Sequence, residues 1–263
     1  MSTSQQDTPK LNRIVVLISG SGKHLFLPPC QLSPSSRSQL LSSELKLTLL
    51  LSRTILPFFP EPGSNLQSLI NATLASPSPL PNSHIAHVIS NRSKAYGLTR
   101  CSESSPPIPT SIHNLKSYLA RPTPSTPSPT RETYDVALAD LVLSTKPDLV
   151  VLAGFMHILS PAFLGPLGDV PIINLHPALP GMFDGANAIP RALEAFEKGE
   201  VDKTGAMVHR VVEEVDQGEP IIVREVEIKK GEGLEALEER IHKVEHEIIV
   251  EGARKVLQEM GRI

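Results

Sequence analysis

Four nearly continuous apolar runs limit the folds open to this chain more than any other feature. They are "RIVVLIS" (13–19), "HIAHVIS" (84–90), "PDLVVLAGF" (147–155) and "VPIINLH" (170–176). A strand with one wet face alternates apolar and polar residues, whereas a parallel strand covered on both faces is apolar throughout. The runs therefore predict parallel strands buried inside a sheet.

Stretches with helical spacing separate these runs. They are "SNLQSLINATLA" from Ser64, "SKAYGLTRC" from Ser93 and "RETYDVALADLVLSTK" from Arg131. Strands that alternate with helices of this length are typical of α/β domains with right-handed crossovers. We predict a mostly parallel, Rossmann-like sheet flanked by helices.

The pattern changes after His176. A helix-like stretch, "AIPRALEAFEKGE", precedes two strand-like runs, "GAMVHRVVEEV" (205–215) and "EPIIVREVEI" (219–228). The turn-forming residues 216–218 between the runs favour a hairpin. The chain then closes on an amphipathic helix from about Gly233 to Met260. These features predict an antiparallel C-terminal extension of the sheet.

Two segments fit a compact domain poorly. "RPTPSTPSPT" (121–130) has the composition of a surface loop. Residues 23–62 form a far longer connection than the roughly 2 to 6 residues usual between a strand and its helix. We expect one domain over 1–263, interrupted by a disordered insertion at 23–62 and by the Pro/Ser-rich loop.

Charge and cysteine content exclude several classes of protein. A net charge of -3 over 263 residues gives no global attraction to nucleic acid or to an anionic membrane. The only cysteines, Cys30 and Cys101, provide neither a disulfide framework nor zinc-site spacing. The polar N-terminus lacks the pattern of a signal peptide, and no apolar run reaches transmembrane length. We expect a cytoplasmic protein without a metal, a membrane or a nucleic-acid partner.

The first apolar run ends in "SGSGK" (19–23), which is similar to a nucleotide-binding P-loop. That loop needs a glycine five residues before the Gly-Lys pair and a Ser or Thr after the lysine. Leu17 and His24 occupy those positions. The stretch is therefore not the loop of a nucleotide-hydrolysing enzyme.

Asn174 and His176 stand two residues apart at the carboxyl end of a predicted strand. In an extended backbone their side chains leave the same face, at the edge where open α/β sheets bind ligands. An imidazole beside a carboxamide suits proton transfer next to a developing oxyanion. Asp216, on the hairpin turn, could orient the imidazole. Taken singly, the histidine also suits a structural role, and the aspartate an ordinary turn.

Five motifs follow one another along the chain: "VVLISG", "GSNLQSLI", "VVLAGFMHILSP", "NLHPALPG" and "VDQGEPII". In this order they closely resemble the phosphoribosylglycinamide formyltransferases, the folate-dependent enzymes of purine synthesis. The resemblance covers nearly the whole chain except 23–62 and the Pro/Ser-rich loop. It implies the formyltransferase fold and metal-free transfer of the formyl group of 10-formyltetrahydrofolate to the amine of 5'-phosphoribosylglycinamide.

The resemblance also implies roles for particular residues. Asn174 and His176 would stabilise a tetrahedral intermediate, and Asp216 would hold His176 and an ordered water. The implied nucleotide-substrate residues are Gly20, Ser21, Gly63, Ser64, Asn65 and Glu245. The implied folate-binding residues are Arg131, Met156, His157, Ile158, Leu159, Val212, Glu213, Glu214 and Val215. The family usually has an arginine in place of His157, so the contact of that side chain stays open.

The family's phosphate loop, I-S-G-x-G-S-N-L, runs directly into the first helix, whose N-terminal amides bind phosphate. Here the motif runs from Ile18 to Gly22, departs, and resumes at Gly63, and deleting Gly22 to Pro62 restores "LISGSGSNLQSLI". The codons of Gly22-Lys23 and Pro62-Gly63 can contain splice-site sequences, so we interpret 22–62 as an in-frame retained intron. The alternative is a genuine lineage-specific loop. In either case we expect weak binding of glycinamide ribonucleotide by the chain as written.

Other formyltetrahydrofolate enzymes are the nearest alternatives. Methionyl-tRNA formyltransferase shares the Asn/His/Asp site but adds a C-terminal tRNA-binding domain, and formyltetrahydrofolate hydrolase normally has an N-terminal regulatory domain. Neither extension is expected here, since only about a dozen polar residues precede the first strand and the chain ends after the closing helix. An inactive, mis-spliced product is the remaining alternative.

Overall fold

The computed structural model of the protein describes residues 11–20 and 64–263. Every structural statement below concerns these two ranges. The expected insertion at 23–62, its interpretation as an intron, Cys30, and the implied substrate residues Ser21 and Gly63 lie outside them.

Strands and helices alternate along the described chain. The strands are β1 (Asn12–Ile18), β2 (Ser83–Ser90), β3 (Thr110–Ile112), β4 (Leu149–Leu152), β5 (Ile172–His176), β6 (Lys203–Arg210) and β7 (Pro220–Glu227). The helices are α1 (Asn65–Leu74), α2 (Tyr96–Glu103), α3 (Leu115–Leu119), α4 (Arg131–Ser144), α5 (Pro161–Leu167), α6 (Ala188–Glu197) and α7 (Leu234–Glu259).

The strands of the described ranges form a seven-stranded sheet in the order β3-β2-β1-β4-β5-β6-β7. Neighbouring strands from β3 to β5 are parallel, whereas β6 and β7 run antiparallel to their neighbours. The predicted fold class, a mostly parallel sheet with an antiparallel C-terminal extension, is confirmed.

The core lies on both faces of this sheet. Along β1, Ile14, Val16 and Ile18 face the cluster that contains residues of α1 and α7, while Val15 and Leu17 face α4 and α5. All of these side chains are buried. Burying a side chain of this size contributes about 1.5 to 3 kcal/mol, so two-sided burial of apolar runs explains why the strands lack an alternating pattern.

Three predicted boundaries were wrong. β4 ends at Leu152, because the chain then turns away into the segment that leads to α5. β6 ends at Arg210, whose N–H donates to the Glu219 carbonyl at 2.9 Å and closes the hairpin, so residues 211–218 form a loop instead of strand. Helix α2 starts at Tyr96 rather than Ser93, after a turn.

Three short elements were not predicted: β3, α3 and α5. β3 has 3 residues and α3 has 5, too few to show a period. Helix α5, "PAFLGPL", contains Pro166, a residue that normally argues against helix. The Pro/Ser-rich loop 121–130 carries an isolated bridge between Thr123 and Thr126.

The carboxyl ends of the central strands meet at one edge. Leu17 of β1 lies opposite Leu152 of β4, which in turn lies opposite Asn174 of β5. The segments that follow these strands therefore emerge side by side, at the edge where open α/β sheets hold ligands.

Among the described helices, none is long and apolar enough to cross a membrane.

Candidate active site

β5 brings Asn174 and His176 out on the same face of the sheet, as the spacing predicts. The Asn174 amide donates from Nδ2 to Asp216 Oδ1 at 3.2 Å. His176 Nδ1 lies 3.3 Å from the other carboxylate oxygen, Oδ2. The structure thus brings together the three residues that were singled out from the sequence.

The loop between β6 and β7 holds Asp216 in place. Its backbone is left-handed, with φ 58, a conformation that aspartate tolerates better than most residues. The Gly185 N–H donates to Asp216 Oδ2 at 2.8 Å, and Gln217 next to it donates to the Asp184 carboxylate. The aspartate is therefore locked between two loops.

The protein environment favours different charge states for His176 and Asp216. Burial lowers the pKa of His176, and the Asp216 carboxylate only partly opposes that effect. Burial raises the pKa of Asp216, but the hydrogen bond from the Gly185 N–H and the positive charge that the neighbouring His176 and His209 rings can carry outweigh it and hold the pKa below its usual range. Near neutral pH the pair is a carboxylate beside a neutral imidazole. His176 Nε2 is buried and has no hydrogen-bond partner within the described ranges, so this nitrogen is available to a ligand.

His209 is the residue of this site that the sequence analysis missed. It lies on β6 directly opposite Asn174 in the antiparallel register. Its Nδ1–H donates to the Arg210 carbonyl at 2.8 Å, which leaves Nε2 to accept from Asn174 Nδ2 at 3.1 Å. Both amide hydrogens of Asn174 are then engaged. Only a strand register, which the sequence did not supply, could have placed His209 there.

A second group of the expected residues lies at the start of α1. Ser64 caps the helix, its hydroxyl accepting from the Gln67 N–H at 3.3 Å. Asn65 Nδ2 donates to Glu245 Oε2 on α7 at 3.4 Å. Glu245 is buried, which raises its pKa to about 7 despite that hydrogen bond. Gly20, at the end of β1, has a positive φ of 27.

The expected folate-binding residues fall on three surfaces. Met156 and Ile158 follow β4 with exposed side chains, 64% and 56% accessible. Residues 212–215 form an exposed rim beside Asp216. Arg131, at the start of α4, donates from Nη2 to the Ile158 carbonyl at 2.8 Å.

Two of these side chains do not face outward. Leu159 is 6% exposed and packs in the core, so only its backbone can meet a ligand. His157 turns inward to the buried carboxylate of Asp135, with Nε2 2.5 Å from Oδ1. The described residues hold no group of three or more His, Cys, Asp or Glu side chains arranged to bind a metal ion.

The sequence matches known proteins over most of its length. Residues 53–252 match the family model described as formyl transferase. The phosphoribosylglycinamide formyltransferase of Schizosaccharomyces pombe is 48% identical over 197 residues, which cover 74% of this chain and 92% of that protein. The enzyme of the same name from Saccharomyces cerevisiae is 45% identical, covering 76% and 95%.

The chain belongs to the phosphoribosylglycinamide formyltransferase family.

Solved structures of proteins with these names share the fold. Glycinamide ribonucleotide transformylase 1 from Symbiobacterium toebii has a TM-score of 0.67 and 28% identity, with coverage of 94% of this chain and 88% of that chain. Phosphoribosylglycinamide formyltransferase from Bacillus halodurans has a TM-score of 0.67 and 25% identity, covering 94% and 95%. The sheet with its antiparallel end is thus the formyltransferase fold.

Proposed function

We propose that this chain transfers the formyl group of 10-formyltetrahydrofolate to the amine of 5'-phosphoribosylglycinamide, a step of de novo purine (IMP) biosynthesis. The observation that carries the proposal is the His176–Asp216 pair at the carboxyl edge of the sheet, with His176 Nε2 buried and unpartnered within the described ranges. A carboxylate that holds one ring nitrogen while the other faces the ligand suits a proton-transfer group. Membership of the family supports the choice of both substrates.

The nucleotide substrate has two anchoring groups in this proposal. Its phosphate binds at the N-terminus of α1, where Ser64 and Asn65 follow the loop that begins at Gly20, because unpaired amides and the helix dipole favour an anion there. The Glu245 carboxyl, linked to Asn65, receives the amine end. Ser21 and Gly63 complete the phosphate loop in this proposal.

The folate donor binds along the segment that follows β4 and along the rim beside Asp216. The exposed side chains of Met156 and Ile158 offer apolar contact, and the backbone of 156–159 offers hydrogen bonds to the pterin. Arg131 and the loop 212–215 complete this side of the site. Since Leu152 and Asn174 are register partners, a donor bound after β4 lies next to the catalytic residues.

The chemistry follows from these positions. The substrate amine attacks the formyl carbon, a C–N bond forms, and the carbonyl electrons move to the oxygen of a tetrahedral intermediate. Asn174 donates to that oxyanion, which requires it to release one amide hydrogen from His209 or Asp216. His176 Nε2, unprotonated at first, takes a proton from the attacking amine, and the resulting imidazolium then donates to the oxyanion. This proton then passes to the folate nitrogen as the old C–N bond breaks. No step uses a metal.

The direct test is formyl transfer from 10-formyltetrahydrofolate to glycinamide ribonucleotide by the purified chain. We expect His176→Ala to lower kcat by about 100-fold or more. His242→Ala, which changes an exposed histidine of α7, is the matched control and should retain the activity of the parent chain. Equal rates in the two variants would refute the assigned role of His176, and transfer to a different acceptor would refute the proposed substrate.

The partners in this proposal are the two small-molecule substrates, without nucleic acid or membrane, and the location is the cytoplasm. Cys101 is a free, buried thiol whose pKa burial raises to about 11, which fits a reducing compartment.

A further inference from the structure

We propose that Asp135 is the positioning residue of the folate-binding segment 156–159. The inference rests on the proposed function, because it explains how the backbone proposed to bind the folate donor is held in place. Asp135 lies on α4, is fully buried, and has no place in the chemistry described above.

The Asp135 carboxylate bridges two points of the segment. Oδ1 lies 2.5 Å from His157 Nε2, and Oδ2 accepts from the Ser160 N–H at 3.0 Å. One side chain therefore fixes both the start and the end of the turn that carries Ile158 and Leu159. The side chain of His157, at 7% exposure, serves this bond and does not reach out to a ligand.

Two further contacts hold the rest of the segment. Arg131, one turn before Asp135 on α4, donates to the Ile158 carbonyl at 2.8 Å. On the other side the Met156 N–H donates to the Ser19 hydroxyl, at the end of β1, at 2.7 Å. The backbone is thus tied to two elements of the fold, while the Met156 and Ile158 side chains stay exposed for a ligand.

Neighbouring aromatic rings restrict the orientation of the His157 ring in its bond to Asp135. The His157 ring packs edge-on against Tyr134 at 5.1 Å and near Phe155 at 6.0 Å between ring centroids. These rings leave the imidazole little freedom to turn, so the carboxylate sets where the backbone of 157 lies. A buried apolar pair could supply similar stability, but it would not fix the segment to a particular hydrogen-bonding geometry. A ligand that forms hydrogen bonds with backbone groups needs that geometry.

The experiment measures binding, so it does not depend on turnover by the interrupted chain. The full-length chain and four variants are titrated with tetrahydrofolate by calorimetry, and their thermal unfolding is recorded. Asp135→Ala removes both bonds, and His157→Phe keeps the ring packing but removes one. Asp135→Asn can still accept from Ser160 and donate to the ring, and Asp140→Ala removes an exposed carboxylate from the same helix as a control.

We expect Asp135→Ala and His157→Phe to raise the Kd for tetrahydrofolate about 10-fold or more, with Asp135→Asn within about 3-fold of the parent chain and Asp140→Ala unchanged. If Asp135→Ala does not fold, His157→Phe against Asp135→Asn decides the question. Folded variants that lose thermal stability but bind tetrahydrofolate like the parent chain would overturn the positioning role. A parent chain that binds no tetrahydrofolate would instead overturn the proposed function itself.

Discussion

At the residue scale, the Asn174 amide lies between two acceptors, the His209 ring and the Asp216 carboxylate. His209 Nε2 accepts one amide hydrogen of Asn174, and Asp216 accepts the other. His209 therefore sets the rotation of the amide that is proposed to face the oxyanion, and acts on the reaction only through Asn174.

His209→Leu should lower kcat about 10-fold while the KM values for both substrates change little, because the amide loses its orientation but the binding surfaces remain. Steady-state kinetics on the variant would show this separation. His87→Leu is a matched control, since His87 is also a strand histidine with one side-chain hydrogen bond, to Ser111 Oγ at 2.8 Å, away from the carboxyl edge. An unchanged kcat in His209→Leu would contradict the orienting role.

Glu245 makes stability depend on pH. Burial raises its pKa from 4.5 in the unfolded chain to about 7 in the folded protein. The folded state therefore binds the proton more tightly, so this contribution to stability is complete below pH 4.5 and is lost as the pH rises through about 7.

Glu245→Gln, which cannot ionise, should gain stability relative to the parent chain by about 2 kcal/mol between pH 5.5 and pH 8.5. Denaturant unfolding at the two pH values measures the difference. Glu247→Gln, an exposed change on the same helix, should show no such trend. A Glu245→Gln effect that does not vary with pH would mean that the carboxyl is already ionised throughout this range.

At the scale of elements, the β6–β7 hairpin delivers both Asp216 and His209. It closes around Gly218, which is so tightly packed that an added Cβ would lie 1.7 Å from the Arg210 carbonyl oxygen. The same carbonyl accepts the His209 Nδ1–H. The glycine thus allows the close approach that aligns the loop with the catalytic edge.

Gly218→Ala should destabilise the protein by about 3 kcal/mol and reduce kcat more than Gly165→Ala does. Residue 165 lies in α5 with open space around its Cα and no positive φ, so the same added methyl group is harmless there. Chemical denaturation and formyl-transfer assays on the two variants test this pairing. A fully active Gly218→Ala protein would show that the loop shifts without disturbing Asp216.

The helices and strands also show which features sequence patterns predict and which they do not. Buried runs identified the central strands, and the amphipathic helix expected from about Gly233 to Met260 is α7, in which Leu237, Ile241 and Val256 are fully buried. The end of β6 could not be predicted, because "RVVEEV" continues the strand-like composition while the hairpin hydrogen bond at Arg210 excludes it from the sheet. A local pattern reports burial, whereas a strand's end depends on its partner.

At the scale of the whole molecule, the proposed phosphate loop consists of two halves that are separated along the chain. Gly20 lies in the first half, and Ser64 with Asn65 lies in the second, at the N-terminus of α1. A phosphate nest requires both halves in a single geometry.

Removing Gly22 to Pro62 should therefore lower the KM for glycinamide ribonucleotide at least 10-fold, while the Kd for tetrahydrofolate, on the other side of the site, stays the same. Kinetics and calorimetry of the full and shortened chains provide the comparison. Equal KM values in the two chains would show that the long connection does not disturb phosphate binding.

The retained-intron interpretation has its own test at the level of the message. Sequencing of transcripts should find reads that join the codons of Gly22 and Gly63 directly. If all transcripts carry the intervening codons, residues 22–62 are a genuine insertion in this lineage.

The sequence by itself determined the α/β class, the buried strands, the family, and the prediction that Asn174, His176 and Asp216 meet, because burial patterns and ordered motifs are properties of neighbouring residues. Only the tertiary structure decided that His209 lies against Asn174, that Leu159 and His157 point inward, and that Asp135 holds the segment after β4. Each of these depends on which strand or helix lies opposite. Contacts between residues distant in sequence arise from packing of the whole sheet, which a local pattern does not encode.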